Sequence, residues 1–245
     1  MAIQMDGTKQ MQIDFGSGPG VFGLSAISIL IHVTQTLSTS NTYRIVEIVN
    51  LGGITTNERY LVHLNATNDA KNFAYFKSST VNVGGEWRSN SNTIPLSTMK
   101  HIAITHDFSS INNDPLFYVD GISTTVNEQN APSGAWYNSG ANSCFLGSSR
   151  SITNSLYGTM YSVLIYNRVL SADEISDAYK SRLLIPNRTG LVFAPNLLGA
   201  AGLQTFDGAA LGSSNYIYDM VSGAAGTPAL SPVGVADSVL NINAY

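Results

Sequence analysis

The amino-acid sequence predicts an all-β protein, and two observations lead to that prediction. Between about residues 13 and 167, short runs rich in Val, Ile, Tyr, Phe and Thr alternate with clusters of Gly, Asn, Ser and Pro, as strands alternate with turns. The pair Asp120-Gly121 lies between two such runs and tolerates the positive φ angles of a type I′ hairpin turn. A chain of 245 residues can also bury about 70% of its surface, so it needs no disulfide or structural metal to form a core.

Each of these runs is assigned to one strand. In chain order the predicted strands are 25–34, 43–50, 59–64, 72–77, 101–106, 116–119, 122–126, 143–146 and 158–166. The runs 116–119 and 122–126 flank Asp120-Gly121 and form the predicted hairpin.

One short helix is predicted after the last strand. Ser171 and Glu174 have the spacing of a capping box, in which the serine accepts a hydrogen bond from the third helical amide and the glutamate reaches back. The residues that then fall on one helix face are Ile175, Ala178 and Tyr179. Because Pro186 prevents continuation, the helix is expected at about 172–182, where it would cap the end of the β structure.

The composition changes after this helix, because residues 189–245 contain no Lys or Arg. The only charged side chains there are Asp207, Asp219 and Asp237. A segment this poor in charge is not expected to stay loose in water, so residues 183–245 are predicted to form an extended arm. The arm would pack on its own domain, residues 1–182, or on a neighbouring subunit. The side chains expected to make oligomer or shell contacts are Leu191, Phe193, Leu197, Tyr216, Tyr218 and Leu240.

Composition also argues against several classes of protein. The chain has 12 basic and 16 acidic side chains, and its charged fraction of 11% predicts a polar but largely uncharged surface, which disfavours nucleic-acid binding. The single cysteine, Cys144, can form neither an internal disulfide nor a cysteine-based metal site. No signal-peptide pattern and no run of about 18 apolar residues is present, so we expect a soluble product made in a cytoplasm, without a membrane partner.

Four blocks of sequence resemble a known family. They are 99–107 (MKHIAITHD), 116–121 (LFYVDG), 145–147 (FLG) and 156–175 (LYGTMYSVLIYNRVLSADEI). In this order they resemble the laminin G-like jelly rolls of the concanavalin A-like superfamily. With Asp6-Gly7 near the start, the resemblance covers residues 1–182 and implies a two-sheet antiparallel jelly-roll sandwich. Residues 190–193 (GLVF) look like a family lead-in strand that is supplied from the C-terminal side, to its own sandwich or to a neighbour's.

The sequence offers little that points to catalysis. Glycosidases on this jelly roll carry closely spaced carboxylates, whereas Glu47, Glu58, Glu86 and Glu128 are isolated here. The four histidines all lie in predicted strands, where hydrogen-bonded structural roles are expected; they are His32, His63, His101 and His106. The protein is therefore predicted not to be an enzyme.

Two kinds of binding residue remain. Trp87, Trp136 and Tyr137 are placed in loops rich in Gly, Ser and Asn, where an exposed aromatic ring could stack on a sugar. Family members often hold Ca²⁺ at a sandwich edge, and the candidate oxygen ligands here are Asn65, Asp69, Asn112 and Asp114. The alternatives are aromatic loop plugs in the first case and Asx turns without metal in the second. No cofactor is expected, and Ca²⁺ is expected to be dispensable.

The function predicted from the sequence is structural and non-enzymatic. We interpret the chain as a virion protein, a bacteriophage capsid decoration or accessory protein that acts through protein–protein contacts. The reasons are the missing secretion signal, the low charge, the arm and a jelly roll of the kind that phages reuse. Its expected partners are itself, as a homo-oligomer, and a major capsid protein, within a virion assembled in the host cytoplasm. The alternative is a carbohydrate-binding module or receptor-binding tail component with a glycan partner.

The predicted arm leads to a test of self-association. Association through residues 183–245 should be insensitive to salt, because few ions would be desolvated or screened. Light scattering of the full chain and of a chain without the arm, at low and high ionic strength, measures this. Unchanged oligomer mass without the arm, or dissociation of the full chain by moderate salt, would contradict the prediction.

Overall fold

The structure is a computed structural model of the 245-residue chain. It describes residues 2–7, 11–14, 25–36, 42–49, 59–65, 72–79, 84–136, 143–149, 154–181, 188–194 and 242–243. The strands within these ranges are β1 (Ala2–Asp6), β2 (Met11–Asp14), β3 (Ala26–Gln35), β4 (Thr42–Val49), β5 (Arg59–Asn65), β6 (Asn72–Lys77), β7 (Gly85–Arg88), β8 (Lys100–Asp107), β9 (Leu116–Val119), β10 (Ile122–Thr124), β11 (Asn127–Asn130), β12 (Ser143–Leu146), β13 (Tyr157–Tyr166), β14 (Leu191–Phe193) and β15 (Ile242–Asn243). The helix α1 spans Ala172–Ser181.

The strands form two antiparallel sheets, which confirms the predicted jelly-roll sandwich. Sheet A has the order β10-β9-β8-β3-β13-β1-β15, and β14 pairs with β13 beside this path. Sheet B has the order β11-β7-β6-β5-β4-β12-β2. Every predicted strand has a counterpart in the structure, and β14 lies within the predicted lead-in strand 190–193. The strands β1, β2, β7, β11 and β15 lie outside the predicted strands.

The core lies between the sheets because side chains alternate along each strand. In β3, Ile29 and Ile31 are completely buried and belong to one cluster with Val62 of β5. Cys144 of β12 lies in the same cluster as a free thiol, and burial raises its pKa well above the ordinary value. The residues between these positions point to the outer faces of the two sheets.

The local predictions for the hairpin and the helix are confirmed. Asp120 and Gly121 have φ angles of 52° and 79°, both in the left-handed region. At the start of α1, Ser171 Oγ accepts a hydrogen bond from the Glu174 amide at 3.2 Å, and Glu174 Oε2 accepts one from the Ser171 amide at 3.0 Å. Within the described part of the chain, no helical segment combines the length and the hydropathy that spanning a membrane requires.

The position of α1 differs from the prediction. It covers the outer face of sheet A rather than an end of the sandwich, because Ile175 and Ala178 pack with Leu30 of β3 and Ala103 of β8 in a second apolar cluster. Leu30 and Ala103 face outward from these central strands, and because they are apolar they need such a cover.

The short strand β14 corrects the predicted role of Leu191 and Phe193. It pairs with β13 of the same chain, and Phe193 is completely buried in the core while Leu191 packs in the cluster beneath α1. The sandwich thus extends past residue 182, and these two side chains are not available for contacts with a shell or a second subunit. The other predicted contact residues, Leu197, Tyr216, Tyr218 and Leu240, lie outside the described residues.

The burial of Phe193 predicts the cost of removing its ring. Phe193→Ala should lower the free energy of unfolding by about 3–5 kcal/mol, because it leaves a cavity in the core. Val169→Ala, at a position that is 41% exposed, is the control and should change it by less than about 0.5 kcal/mol. Urea denaturation measures both. If the two variants lose equally little stability, β14 is not part of the folded core.

Candidate functional site

The candidate site lies on the outer face of sheet B. The strand register aligns a row of outward-facing residues across the sheet from β12 to β11: Phe145, Glu47, Leu61, Phe76, Glu86 and Asn130. One end of the row is covered, since Phe145 and Glu47 are only 1% and 3% exposed. The other end opens towards β11, where Phe76 and Glu86 are partly exposed and Asn130 is exposed.

An ion pair occupies the open end of this row. Arg88 donates hydrogen bonds from Nε and Nη2 to Glu86 Oε1, at 3.0 and 2.8 Å. Asn130 donates from Nδ2 to the other oxygen, Glu86 Oε2, at 3.3 Å. Both oxygens of the carboxylate therefore have partners, and the guanidinium, whose side chain is 37% exposed, is held in place by the pair.

A second carboxamide of β11, that of Asn127, lies next to this ion pair. Asn127 Nδ2 donates to the Arg88 carbonyl at 3.3 Å and to Asn90 Oδ1 at 3.0 Å. All four residues of β11 are polar and exposed, and β11 is the last strand of sheet B in the described order. Its side chains remain accessible while its backbone is tied to β7.

An aromatic ring borders the ion pair. Phe76 is the register partner of Glu86, so their Cβ atoms lie about 5 Å apart on the same face. The ring lies against Gly84, where an added Cβ would come within 2.7 Å of the Phe76 Cζ atom. We call the group formed by Phe76, Glu86, Arg88, Asn127 and Asn130 the β11 platform.

The β11 platform has no net charge, because its one carboxylate is paired with its one guanidinium. A second pair, Arg44 Nη1 to Glu47 Oε2 at 2.9 Å, lies towards the covered end of the same face. The Arg44–Glu47 pair is largely buried, whereas the Glu86–Arg88 pair presents planar groups with several hydrogen-bond donors and acceptors. Next to a partly exposed ring, such groups suit a ligand that has an apolar face and a polar edge.

The family match agrees with this architecture. Residues 7–176 match the sequence profile of the concanavalin A-like lectin/glucanases superfamily. The chain belongs to this superfamily. No curated protein sequence matches the chain.

Solved structures also share the fold of this chain. One is the CBM40 module of Ruminococcus gnavus IT-sialidase bound to α2,3 sialyllactose, with a TM-score of 0.54, 15% identity, and coverage of 73% of this chain and 96% of that chain. Another is the native heptameric SAP-like pentraxin of Limulus polyphemus, with a TM-score of 0.50, 12% identity and coverage of 74% and 87%. At these identities the likeness shows the fold alone.

Two carboxylates with described side chains on this outer face, Glu47 and Glu86, are too far apart to hydrolyse a glycosidic bond as a pair. Glu47 lies on β4 and Glu86 on β7, so three strand spacings of about 4.8 Å separate them by about 14 Å. Hydrolysis by a carboxylate pair needs a separation of about 5–9.5 Å. Each of these carboxylates is also held by an arginine. This pair therefore fits binding better than hydrolysis.

The two tryptophans predicted to contact sugar occupy different positions. The prediction that Trp87 lies in a loop is wrong: it lies in β7, is fully buried, and donates from Nε1 to Asp114 Oδ1 at 2.8 Å. Trp136 follows β11, is partly exposed, and donates from Nε1 to the Ser110 carbonyl at 2.9 Å. Trp136 also forms a bridge with Ser79, which follows β6 shortly after Phe76. Tyr137 lies outside the described residues.

A buried aromatic cluster supports Trp136 from beneath. The His106 ring contacts Trp87 and Trp136 edge-on, with both centroid distances 5.2 Å, and Phe108 at 4.7 Å. His106 Nε2 donates to the Asn113 carbonyl at 2.9 Å. Close by, the buried Lys77 Nζ lies 3.8 Å from the centre of the Tyr60 ring. Sequence reasoning assigned Tyr60, Lys77 and His106 to strands. It did not indicate that these residues meet Trp87 and Phe108 beneath Trp136.

The predicted calcium ligands are not brought together in the described residues. Asp114 accepts a hydrogen bond from the Trp87 side chain. Asn112 is exposed, and its backbone amide donates to Ser110 Oγ. The side chain of Asn65 and the whole of Asp69 lie outside the described positions. No cluster of three or more His, Cys, Asp or Glu that could hold a metal occurs in the described part of the chain. Calcium binding stays a prediction without a described ligand set.

A pair of buried histidines lies on the outer face of sheet A. His32 and His101 are register partners on β3 and β8, and their ring centroids are 4.5 Å apart. The ring centroid of Tyr179 in α1 lies 5.9 Å from that of His101. Burial, followed by the neighbouring His32, lowers the pKa of His101 to about 3. Burial also lowers the pKa of His106 to about 4.

These depressed pKa values predict acid destabilisation. The unfolded chain takes up protons on His101 and His106 below about pH 6.5, whereas the folded chain does not until about pH 4 or lower. Stability should therefore fall as the pH is lowered from 7 to 4.5, by roughly 1–3 kcal/mol for each histidine.

Denaturation at a series of pH values measures this loss. The slope of the unfolding free energy against pH should be smaller in His101→Gln and in His106→Gln than in the wild type. Val169→Ala should keep the wild-type slope. Equal slopes in all four proteins would show that the two histidines are not neutral in the folded state.

Proposed function

We propose that the chain is a non-catalytic carbohydrate-binding domain that holds its glycan on the β11 platform, with Trp136 at the rim. The observation that carries this proposal is the placement of a partly exposed aromatic ring, Phe76, beside planar polar groups on the outer face of a lectin-type sandwich. A relative of the same fold, the R. gnavus sialidase module, was solved with a bound oligosaccharide, which supports the same class of ligand here.

The chemistry of the β11 platform matches that of a sugar ring. A pyranose has an apolar face of C–H groups that can stack on Phe76 and an edge of hydroxyl groups that exchange hydrogen bonds. Arg88 donates, Glu86 accepts, and the carboxamides of Asn127 and Asn130 do both. Because existing hydrogen bonds already orient these side chains, little rotamer freedom is lost on binding.

The structural role in a phage virion has less support and stays a hypothesis. Two of its proposed shell contacts, Leu191 and Phe193, are buried in the chain's own sandwich. Self-association, a capsid partner and a virion location likewise stay predictions. A receptor-binding tail component, the alternative that includes glycan binding, would use the same β11 platform.

Glycan-array screening followed by calorimetric titration tests the proposal. Phe76→Ala and Arg88→Ala should each weaken binding of the glycan that binds best by about tenfold or more, since each removes a contact at the centre of the platform. Trp136→Ala should weaken it if the ligand extends to the rim. Melting temperatures show whether each variant is folded.

The matched control is Ile122→Ala, on the edge strand of the other sheet, where the side chain is 73% exposed. This variant should bind like the wild type. Absence of any glycan binding by the wild type would refute the proposed function. Wild-type affinity in folded Phe76→Ala and Arg88→Ala proteins would refute the proposed site.

A further inference from the structure

We infer that the β11 platform selects uncharged glycans over acidic ones, an inference that rests on the proposed function. The decisive feature is that Arg88 is already bonded to a carboxylate of the same chain. Nε and Nη2 of its guanidinium are both hydrogen-bonded to one oxygen of Glu86. Recognition of a carboxylate or sulfate normally uses an arginine whose fork is free to form such bonds with the ligand.

An acidic sugar on this surface would compete with Glu86. To bond the Nε and Nη2 edge of the guanidinium it would displace the carboxylate, which would then lose its bonds to Arg88 and leave Asn130 as its remaining described partner. If Glu86 stayed in place, two negative groups would lie within a few ångströms of each other, which is unfavourable. Neutral hydroxyl groups meet neither obstacle. They carry no negative charge, and they can form hydrogen bonds with the Glu86–Arg88 pair while it stays intact.

The rest of the described face provides no substitute cation. Arg44 is the other arginine with a described side chain there, and it is bound to Glu47 at 2.9 Å in a pair that is largely buried. The chain as a whole carries a formal net charge of −4, which adds a weak long-range repulsion of anions. Both the local and the overall electrostatics therefore favour an uncharged ligand.

The test uses an array in which each neutral oligosaccharide is printed beside its sialylated, sulfated or carboxylated counterpart. The wild type should bind the neutral member of a pair at least about tenfold more tightly. Glu86→Gln keeps the size of the side chain but removes its charge, so that Arg88 is no longer neutralised. In this variant the affinity ratio should shift towards the acidic member by about tenfold, and acidic-glycan binding should weaken with added salt.

Glu128→Gln is the matched control. Glu128 is exposed on β11 but pairs in register with the inward-facing Trp87, so the same charge is removed one strand away and off the platform. This variant should keep the wild-type ratio. An equal shift in both variants would mean that net charge, not the Glu86–Arg88 pair, sets the selectivity and would overturn the inference.

The outcomes separate the inference from the proposed function. If the wild type prefers acidic glycans and loses them on Phe76→Ala, the proposed function stands and the inference is wrong. If a folded Glu86→Gln variant keeps the wild-type ratio, the inference is also wrong. If the wild type binds neither member of any pair, the proposed function fails and the inference fails with it.

Discussion

The face-to-face packing of two antiparallel sheets is the interaction on which the other features of this protein depend. Side chains alternate along a strand, so burying Ile29, Ile31 and Val62 in the core places the intervening residues on the outer faces. On sheet A the outer face carries an apolar cluster that α1 covers. On sheet B it carries charged and amide side chains, and near β11 it stays open. The candidate site is thus a consequence of how the core is formed.

Strand register determines the composition of that site. Glu86 and Arg88 lie two residues apart on β7 and so share a face, while pairing with β6 and β11 adds Phe76 on one side and Asn130 on the other. The arrangement combines ions that are already paired with a partly exposed ring. It gives a surface rich in hydrogen-bonding groups but without net charge, consistent with a chain of which only 11% is charged.

Features that depend on a few neighbouring residues could be predicted from the sequence. The Asp120-Gly121 turn and the Ser171–Glu174 capping box each involve groups no more than three residues apart, so their geometry is encoded locally. The long strands were predictable because β-branched and aromatic residues recur in them between turn-forming residues. The family motifs in these same segments indicated how the strands assemble, and residues 7–176 match the superfamily.

The sequence by itself determined the fold class, the helix and the longer strands, whereas the tertiary structure decided which residues are buried and which meet. β7 and β11 are short and polar, and only pairing with partners far along the chain makes them strands; Asn130, for example, bonds to Glu86. The same long-range pairing buries Trp87 and takes Phe193 into the core. Such contacts escape sequence reasoning because register and burial are set by distant segments, about which the local residues carry no information.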